Sequence, residues 1–323
     1  MAVSNQSIIV ARLQLWNGRV PIMKRTEGLG LGKDAHSTYI LLEFESIKEL
    51  ADTAAATPDK YRKSSSTPKG DGGLDFHQTE TLEDAHHLAV DGWHEARARV
   101  DAFMDPLRQK LGNVLETVRQ CQYDIVGSEV DIDRYIDGEL ECMVDEVYRE
   151  EPREGRVFTL VVDSTLAWHV TADEALRRGA ALCALVEAFA MLGYELEVIG
   201  EWTLGSQQPN NYTTKYSVTC PFNKAGEPID IDTMMFALGH SDWFRRIGFA
   251  LGEGQADIRK RIGFQPGGGY GLANQGSHFY ERLGASSVVS IAGMTGASVD
   301  PVKWILEQLD EQGVINMDEV KWS

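Results

Sequence analysis

From residue 156 to residue 163 the sequence RVFTLVVD is apolar almost without interruption, the pattern of a strand covered on both faces. Thr171 then opens ADEALRRGAALCALVEAFAMLG, whose later turns are apolar nearly all round, as in a helix wedged against a sheet, with Gly193 placed to cap its end. YELEVIGEW (194–202) predicts a second strand, so strand, helix and strand make a βαβ unit with a right-handed crossover. TKYSVTCPF (214–222) predicts a third strand, 231–253 a helical pair, SSVVSIAG (286–293) a last strand and 300–313 a closing helix. This alternation predicts an α/β domain of three layers, Rossmann-like, with a parallel-rich sheet.

The first half is patterned differently. SIIVARLQLW (7–16) and STYILLEFES (37–46) predict strands, with TEGLGLGKD (26–34) as a turn between them and a short helix capped by Ser46. Residues 57–75, rich in Pro, Ser, Gly and Lys, predict a mobile linker or long exposed loop. Thr81 and Asp84 have the spacing of a capping box, and a long helix is expected through residue 111 with a break near Pro106. Leu82, Ala85, Ala89, Trp93, Ala96 and Val100 recur at helical spacing, with Trp93 as the anchor of that face. These readings divide the chain into an N-terminal β-rich segment and linker (1–75) and an α/β domain with a leading long helix (76–323).

Charge alters what the fold is expected to meet. The formal net charge of −18 opposes long-range attraction to nucleic acid or to an anionic membrane. Residues 128–154 are strongly acidic, but interleaved Val130, Ile132, Tyr135, Ile136, Leu140, Met143 and Val147 predict a packed segment with a solvated face. One local exception is basic: Arg245, Arg246, Arg259, Lys260 and Arg261, near Trp243 and Tyr270, form either a patch for nucleic acid or a set of intramolecular partners for the many carboxylates. No signal-peptide pattern opens the sequence and no apolar run is long enough to span a bilayer, so the chain reads as cytoplasmic. Cys121, Cys142, Cys183 and Cys220 are too far apart for a C-x-x-C pair and read as reduced, packed thiols.

Candidate chemistry gathers at Asp163, where an open α/β sheet collects ligands at the carboxyl ends of its strands. A hard cation such as Mg²⁺ wants oxygen donors, and Asp163 with Thr165 supplies two from one turn; the alternative is that the carboxylate only caps the turn. The strand, Asp163, Thr165, the small-residue helix RRGAALCALVEAF and the strand YELEVIG together resemble the opening of a von Willebrand factor A-type domain. That resemblance, over about residues 155–313, implies a Rossmann-like sheet, an adhesion or assembly role and often a metal ion at the top of the sheet. Where the family's turn has a second serine this chain has Ala167, and Ala292, Gly293 and Met294 stand where a late acidic ligand is expected, leaving Thr203 or Thr295 to contribute a hydroxyl. The arrangement, with DIVGSEVDIDRYIDGELECMV upstream, is also similar to uncharacterised proteins of phages and actinobacteria.

Trp168 and His169 follow Asp163 and offer an aromatic contact, and the glycine-rich stretch around Tyr270 offers another. Other motifs fail on their own requirements. GLGLGKD has Glu27 and Asp34 where a phosphate loop needs glycine and a hydroxyl, and HEARA (94–98) has Ala98 where a zinc protease needs its second histidine. Without a nucleophile elbow or paired carboxylates there is no warrant for hydrolysis. The expectation is a non-enzymatic protein-binding or assembly module, such as one of a phage or mobile element, with two alternatives: a Mg²⁺-dependent module of the same type using Asp163 and Thr165, and a nucleic-acid-associated protein using residues 245–261.

Overall fold

The computed structural model describes residues 23–29, 38–69, 76–111, 117–150, 157–205, 214–263, 272–273, 288–291 and 300–317. In chain order the strands are β1 (Lys24–Leu29), β2 (Thr38–Glu43), β3 (Thr117–Asp124), β4 (Glu129–Val130), β5 (Met143–Glu150), β6 (Val157–Asp163), β7 (Glu195–Gly205), β8 (Thr214–Asn223), β9 (Leu272–Ala273) and β10 (Val288–Ile291). The helices are α1 (Ile47–Ala55), α2 (Leu82–Asp91), α3 (Arg97–Leu111), α4 (Ile132–Ile136), α5 (Ala172–Met191), α6 (Ile231–Gly239), α7 (Phe249–Gly254) and α8 (Pro301–Glu311). A π-helical stretch, Trp243–Gly248, leads into α7.

The chain is a mixed α/β fold. Its main sheet runs β1-β2-β8-β7-β6-β10, with β9 added to the end of β7. β6 pairs parallel with β7 and β10, β8 runs antiparallel to β7, and β2 joins β8 in parallel. The N-terminal strands therefore extend the same sheet. Thr26 to Leu29, expected as part of a turn, are strand instead: pairing with β2 from Lys24↔Glu43 to Leu29↔Thr38 satisfies their backbone groups, and cross-strand pairing overrides local propensity. The stretches 7–16 and 30–34 lie outside the described residues.

Strand alternation sorts side chains onto two faces, one wholly apolar along β6, β7 and β8 and the other mixing buried apolar residues such as Val161 and Ile199 with polar ones. Phe158, Leu160 and Val162 of β6, Leu196, Val198, Trp202 and Leu204 of β7, and Tyr216, Val218, Cys220 and Phe222 of β8 join one hydrophobic cluster. Helices α1, α2, α3, α5, α6, α7 and α8 contribute to that same cluster, α5 and α6 lying on the sheet and α3 and α2 packing on them. The βαβ unit β6-α5-β7 is present, its helix opened by a capping box between Thr171 and Glu174. Cys183 and Cys220 are buried and Cys142 half-buried, all three free.

Two expectations for the first half need correction, and a third is settled between its alternatives. The long helix breaks at Gly92, not at Pro106, which sits inside α3. Gly92 takes a φ of +89°, and a Cβ there would lie 2.8 Å from Asp232 Cβ, so α6 dictates the bend while Trp93 N–H donates to Asp232 O at 3.0 Å. Of the two alternatives for 57–75, residues 57–69 form a loop and not a mobile linker: Thr57 donates to Ala250 O, Ser64 N–H and Ser65 N–H donate to the buried Glu253 carboxylate, and Arg62 donates to Ala55 O and Thr57 O. The polar groups of this loop are its fastening. Lastly, the acidic segment forms a separate sheet in the order β3-β5-β4, and Val130, Ile132, Tyr135, Ile136 and Leu140 on it are exposed rather than packed. Spacing shows which residues share a face and says nothing of whether that face is covered.

Candidate functional site

The sheet face turned away from the hydrophobic cluster carries oxygens. Asp163 on β6 stands in register with Glu201 on β7, which stands opposite Thr219 on β8, and Thr203 stands opposite Ser217. Asp163, Thr165, Glu201, Thr203, Ser217 and Thr219 are all buried. Asp163 Oδ1 accepts from Thr165 N–H at 2.8 Å, closing an Asx turn, and Thr165 Oγ1 accepts from Thr203 N–H at 3.1 Å. Ser164 binds Glu201 O through both its N–H (2.7 Å) and its hydroxyl (3.0 Å). Thr203 and Ser217 share a hydrogen bond of 2.8 Å between their hydroxyls. From α5, fully buried Arg178 donates to the Asp163 carbonyl, and burial pulls its pKa down while the nearby Asp163 carboxylate pushes it up. Asp163 and Thr165 are thus brought together as expected, each already engaged with the backbone. Among the described residues no group of three His, Cys, Asp or Glu side chains converges to hold a metal ion. Thr295 lies outside the described residues.

The turn set by Asp163 leads to a loop that displays Trp168 at 74% exposure, with His169 edge-on at 5.7 Å between ring centroids. Arg245 holds this loop from below. Its Nη2 donates to Ala167 O and Val170 O at 2.9 Å each and reaches Trp168 O at 3.4 Å, while Nη1 donates to Phe76 O at 3.2 Å. The guanidinium lies 4.3 Å from the Phe76 ring centroid. Burial pushes its pKa down to about 10, so Arg245 remains charged at neutral pH.

Its neighbour points elsewhere. Arg246 donates to Ser65 O (2.8 Å), Thr67 O (3.0 Å), Thr79 O (2.6 Å) and Glu80 O (3.1 Å), with Nε 3.7 Å from Asp242. Arg245 and Arg246 are therefore fastenings at 1% and 0% exposure, not members of a surface patch. The sequence counted their charges; the π-helical stretch that carries them turns both heads into loop carbonyls. Arg261 pairs with Glu27 at 3.0 Å, and Arg259 lies over the Tyr61 ring at 4.2 Å, so this part of the basic cluster disperses as well. Tyr270 and its glycine-rich stretch lie outside the described residues. His86, His87 and His94 each face a different acid, Asp52, Asp91 and Asp232, and share no site.

Asp242 completes the arrangement. Its buried carboxylate accepts from Gln78 N–H (2.9 Å), Thr79 N–H (2.7 Å) and Thr79 Oγ1 (2.8 Å), and lies 2.9 Å from His77 Nδ1. Burial raises its pKa, but the hydrogen bond with His77, the adjacent His240 and the Thr79 N–H outweigh that and hold it below the ordinary aspartate value. His240 Nδ1 accepts from Asp242 N–H at 3.1 Å, which fixes the neutral ring, and burial pushes its pKa down to about 4. The unfolded chain protonates a histidine near pH 6.5, so as pH falls from about 6.5 toward 4 the unfolded state takes the proton first. Stability is expected to drop across that window by on the order of 3 kcal/mol from this group. Urea unfolding near pH 7 and near pH 4.5 measures it, and His240→Gln should flatten the slope; an unchanged slope would clear His240 of the role.

The profile of one family, described as a domain of unknown function (DUF7192), matches residues 24–314. The chain belongs to the DUF7192 family. No curated protein and no solved structure matches it. The matched stretch of this DUF7192 chain begins at the first residue of β1 and ends just beyond α8, so it contains the Trp168 loop, the arginine pair and the acidic sheet.

Glu201, Asp242 and His77 were missed as site residues by sequence reasoning. For Glu201 a signal existed: Glu195, Glu197, Glu201 and Thr203, interrupted by Ile199, alternate with Leu196, Val198, Trp202 and Leu204, marking one face as largely polar. For His77 and Asp242 there was none, since 165 positions separate them.

Proposed function

We propose that this DUF7192 chain is a non-enzymatic protein-binding or assembly module that engages its partner through the Trp168 loop. One observation carries the reading: a tryptophan at 74% exposure stands on a loop whose carbonyls are pinned by a buried arginine. A large exposed aromatic on a preorganised backbone loses little entropy on binding and is the kind of residue that dominates interfaces. The fold supports the same reading. Counted from β6, the spatial order β8-β7-β6-β10 follows the 3-2-1-4 order of a doubly wound sheet with the third strand reversed, and the Trp168 loop emerges at the carboxyl end of its first strand. This agrees with a degenerate von Willebrand factor A-type domain. None of the described helices is long and apolar enough to cross a membrane, and the free thiols accord with a reducing compartment such as the cytoplasm.

Trp168→Ala tests the proposal. It is expected to leave stability within about 0.5 kcal/mol, as an exposed side chain should, while quantitative affinity capture with the tagged full chain loses its specific partners. Unchanged capture would overturn the reading.

A second reading, a Mg²⁺-dependent module of the same type, is favoured by the register that sets Glu201 beside Asp163 and so supplies a second carboxylate. Thr165, Thr203 and Ser217 would complete an oxygen donor set. Calorimetric titration with Mg²⁺ or Mn²⁺ against wild type and Asp163→Ala decides it, since heat in neither protein sinks the metal role.

A further inference from the structure

Tyr123, Ile125, Val126, Val130, Ile132, Tyr135, Ile136 and Leu140 are all exposed; the register sets Tyr123 and Val130 on opposite faces of the sheet β3-β5-β4, while the short helix α4 gathers Ile132, Tyr135 and Ile136 beside it. Ile132, Tyr135 and Ile136 follow the i, i+3, i+4 spacing of one helix face, and Leu140 is 85% exposed. An exposed apolar helix face of this kind marks an interaction site.

The backbone beneath it is fixed. Asp131 N–H donates to Cys142 O at 2.8 Å, the Asp131 carboxylate caps α4 through Asp133 N–H and Arg134 N–H, and Ser128 donates to Val144 O. Gly127 lies against β5 so closely that a Cβ would come within 3.0 Å of Val144 N. The apolar residues therefore stand on an ordered platform, which lowers the ordering cost of binding.

Charge identifies the occupant. Between residues 123 and 141 the acids are Asp124, Glu129, Asp131, Asp133, Asp137, Glu139 and Glu141, against one base, Arg134. That base is occupied within the platform, bonded to Glu139 and stacked 4.0 Å over the Tyr123 ring. Two copies meeting here would oppose like charges, as would an anionic lipid surface. A partner must present apolar side chains flanked by cations.

We propose that this platform is a docking surface for a basic amphipathic segment of another protein, separate from the Trp168 contact. The test uses the full chain and, as probe, a fluorescein-labelled peptide of leucine and lysine at helical spacing, with a leucine–glutamate counterpart. Anisotropy is expected to show the lysine peptide binding at least about tenfold more tightly than its counterpart, and more weakly as salt rises. The variant Ile132→Ser/Tyr135→Ser/Ile136→Ser should lose about tenfold or more at unchanged melting temperature, because these side chains are already in water. Asp133→Asn/Asp137→Asn/Glu139→Gln should remove most of the salt dependence. Trp168→Ala should bind the peptide like wild type, which keeps this test independent of the function proposed above. Equal binding of both peptides, or of the wild type and the triple serine variant, overturns the proposal. So does sedimentation showing a dimer that the serine substitutions dissolve, or adsorption to neutral phosphatidylcholine vesicles that the same substitutions abolish.

Discussion

Replacing Asp242 with alanine is expected to cost about 3–5 kcal/mol of unfolding free energy, the largest single-site effect on this fold. The carboxylate is fully buried and accepts from Gln78 N–H, Thr79 N–H and Thr79 Oγ1, with His77 Nδ1 alongside. Truncation strands these donors and leaves Arg246, whose Nε is 3.7 Å away, without its nearest counter-charge. The penalty of the stranded groups, rather than the net worth of the bonds, sets the magnitude. Asp242→Asn keeps one acceptor oxygen and should cost less. Denaturant unfolding of both variants checks the prediction, and a loss below about 1 kcal/mol for alanine would show that the network tolerates opening. Amide exchange across residues 164–170 should quicken in the alanine variant, since Arg245, on the same π-helical stretch, holds that loop.

The second large effect is expected where α5 crosses α6. A Cβ at Gly179 would lie 2.3 Å from Gly239 Cα, 2.5 Å from Gly239 N and 2.8 Å from the Leu238 carbonyl carbon. All three obstacles are backbone, so no side-chain rotation relieves the clash and the helices must separate. Gly179→Ala should therefore cost at least the upper end of the ~1–3 kcal/mol usual for overpacking. Gly28, in β1 with nothing within 4 Å of its added Cβ, is the control, and Gly28→Ala should stay within about 1 kcal/mol of wild type. Equal effects at the two sites would contradict the close crossing.

Much of this architecture is legible in the sequence where periodicity is strong. The apolar run ending at Asp163, the capped helix α5 and strand β7 are present as the pattern implies, because burial on a sheet imposes both composition and spacing. The bend at Gly92 is not legible, since it is dictated by Asp232 on a distant helix. The sequence offers Arg245 and Arg246 either as a basic patch or as internal partners of carboxylates; it reports charge without direction, and their hydrogen-bond partners are backbone carbonyls that every residue possesses. The sequence places Trp168 on the loop after Asp163, but the reason it is held out in water, a buried arginine 77 positions away, is not legible there.

The most direct test of the central claim places a photoreactive p-benzoylphenylalanine at position 168 in the full chain, within cells that make the protein natively. Exposed Asp173, at the start of α5, serves as the control position. The expected result is a discrete crosslinked adduct at position 168 and not at 173, competed away by unlabelled wild type and not by Trp168→Ala. No discrete adduct at 168, or the same adducts from both positions, would contradict the claim that this loop is where the module meets its partner.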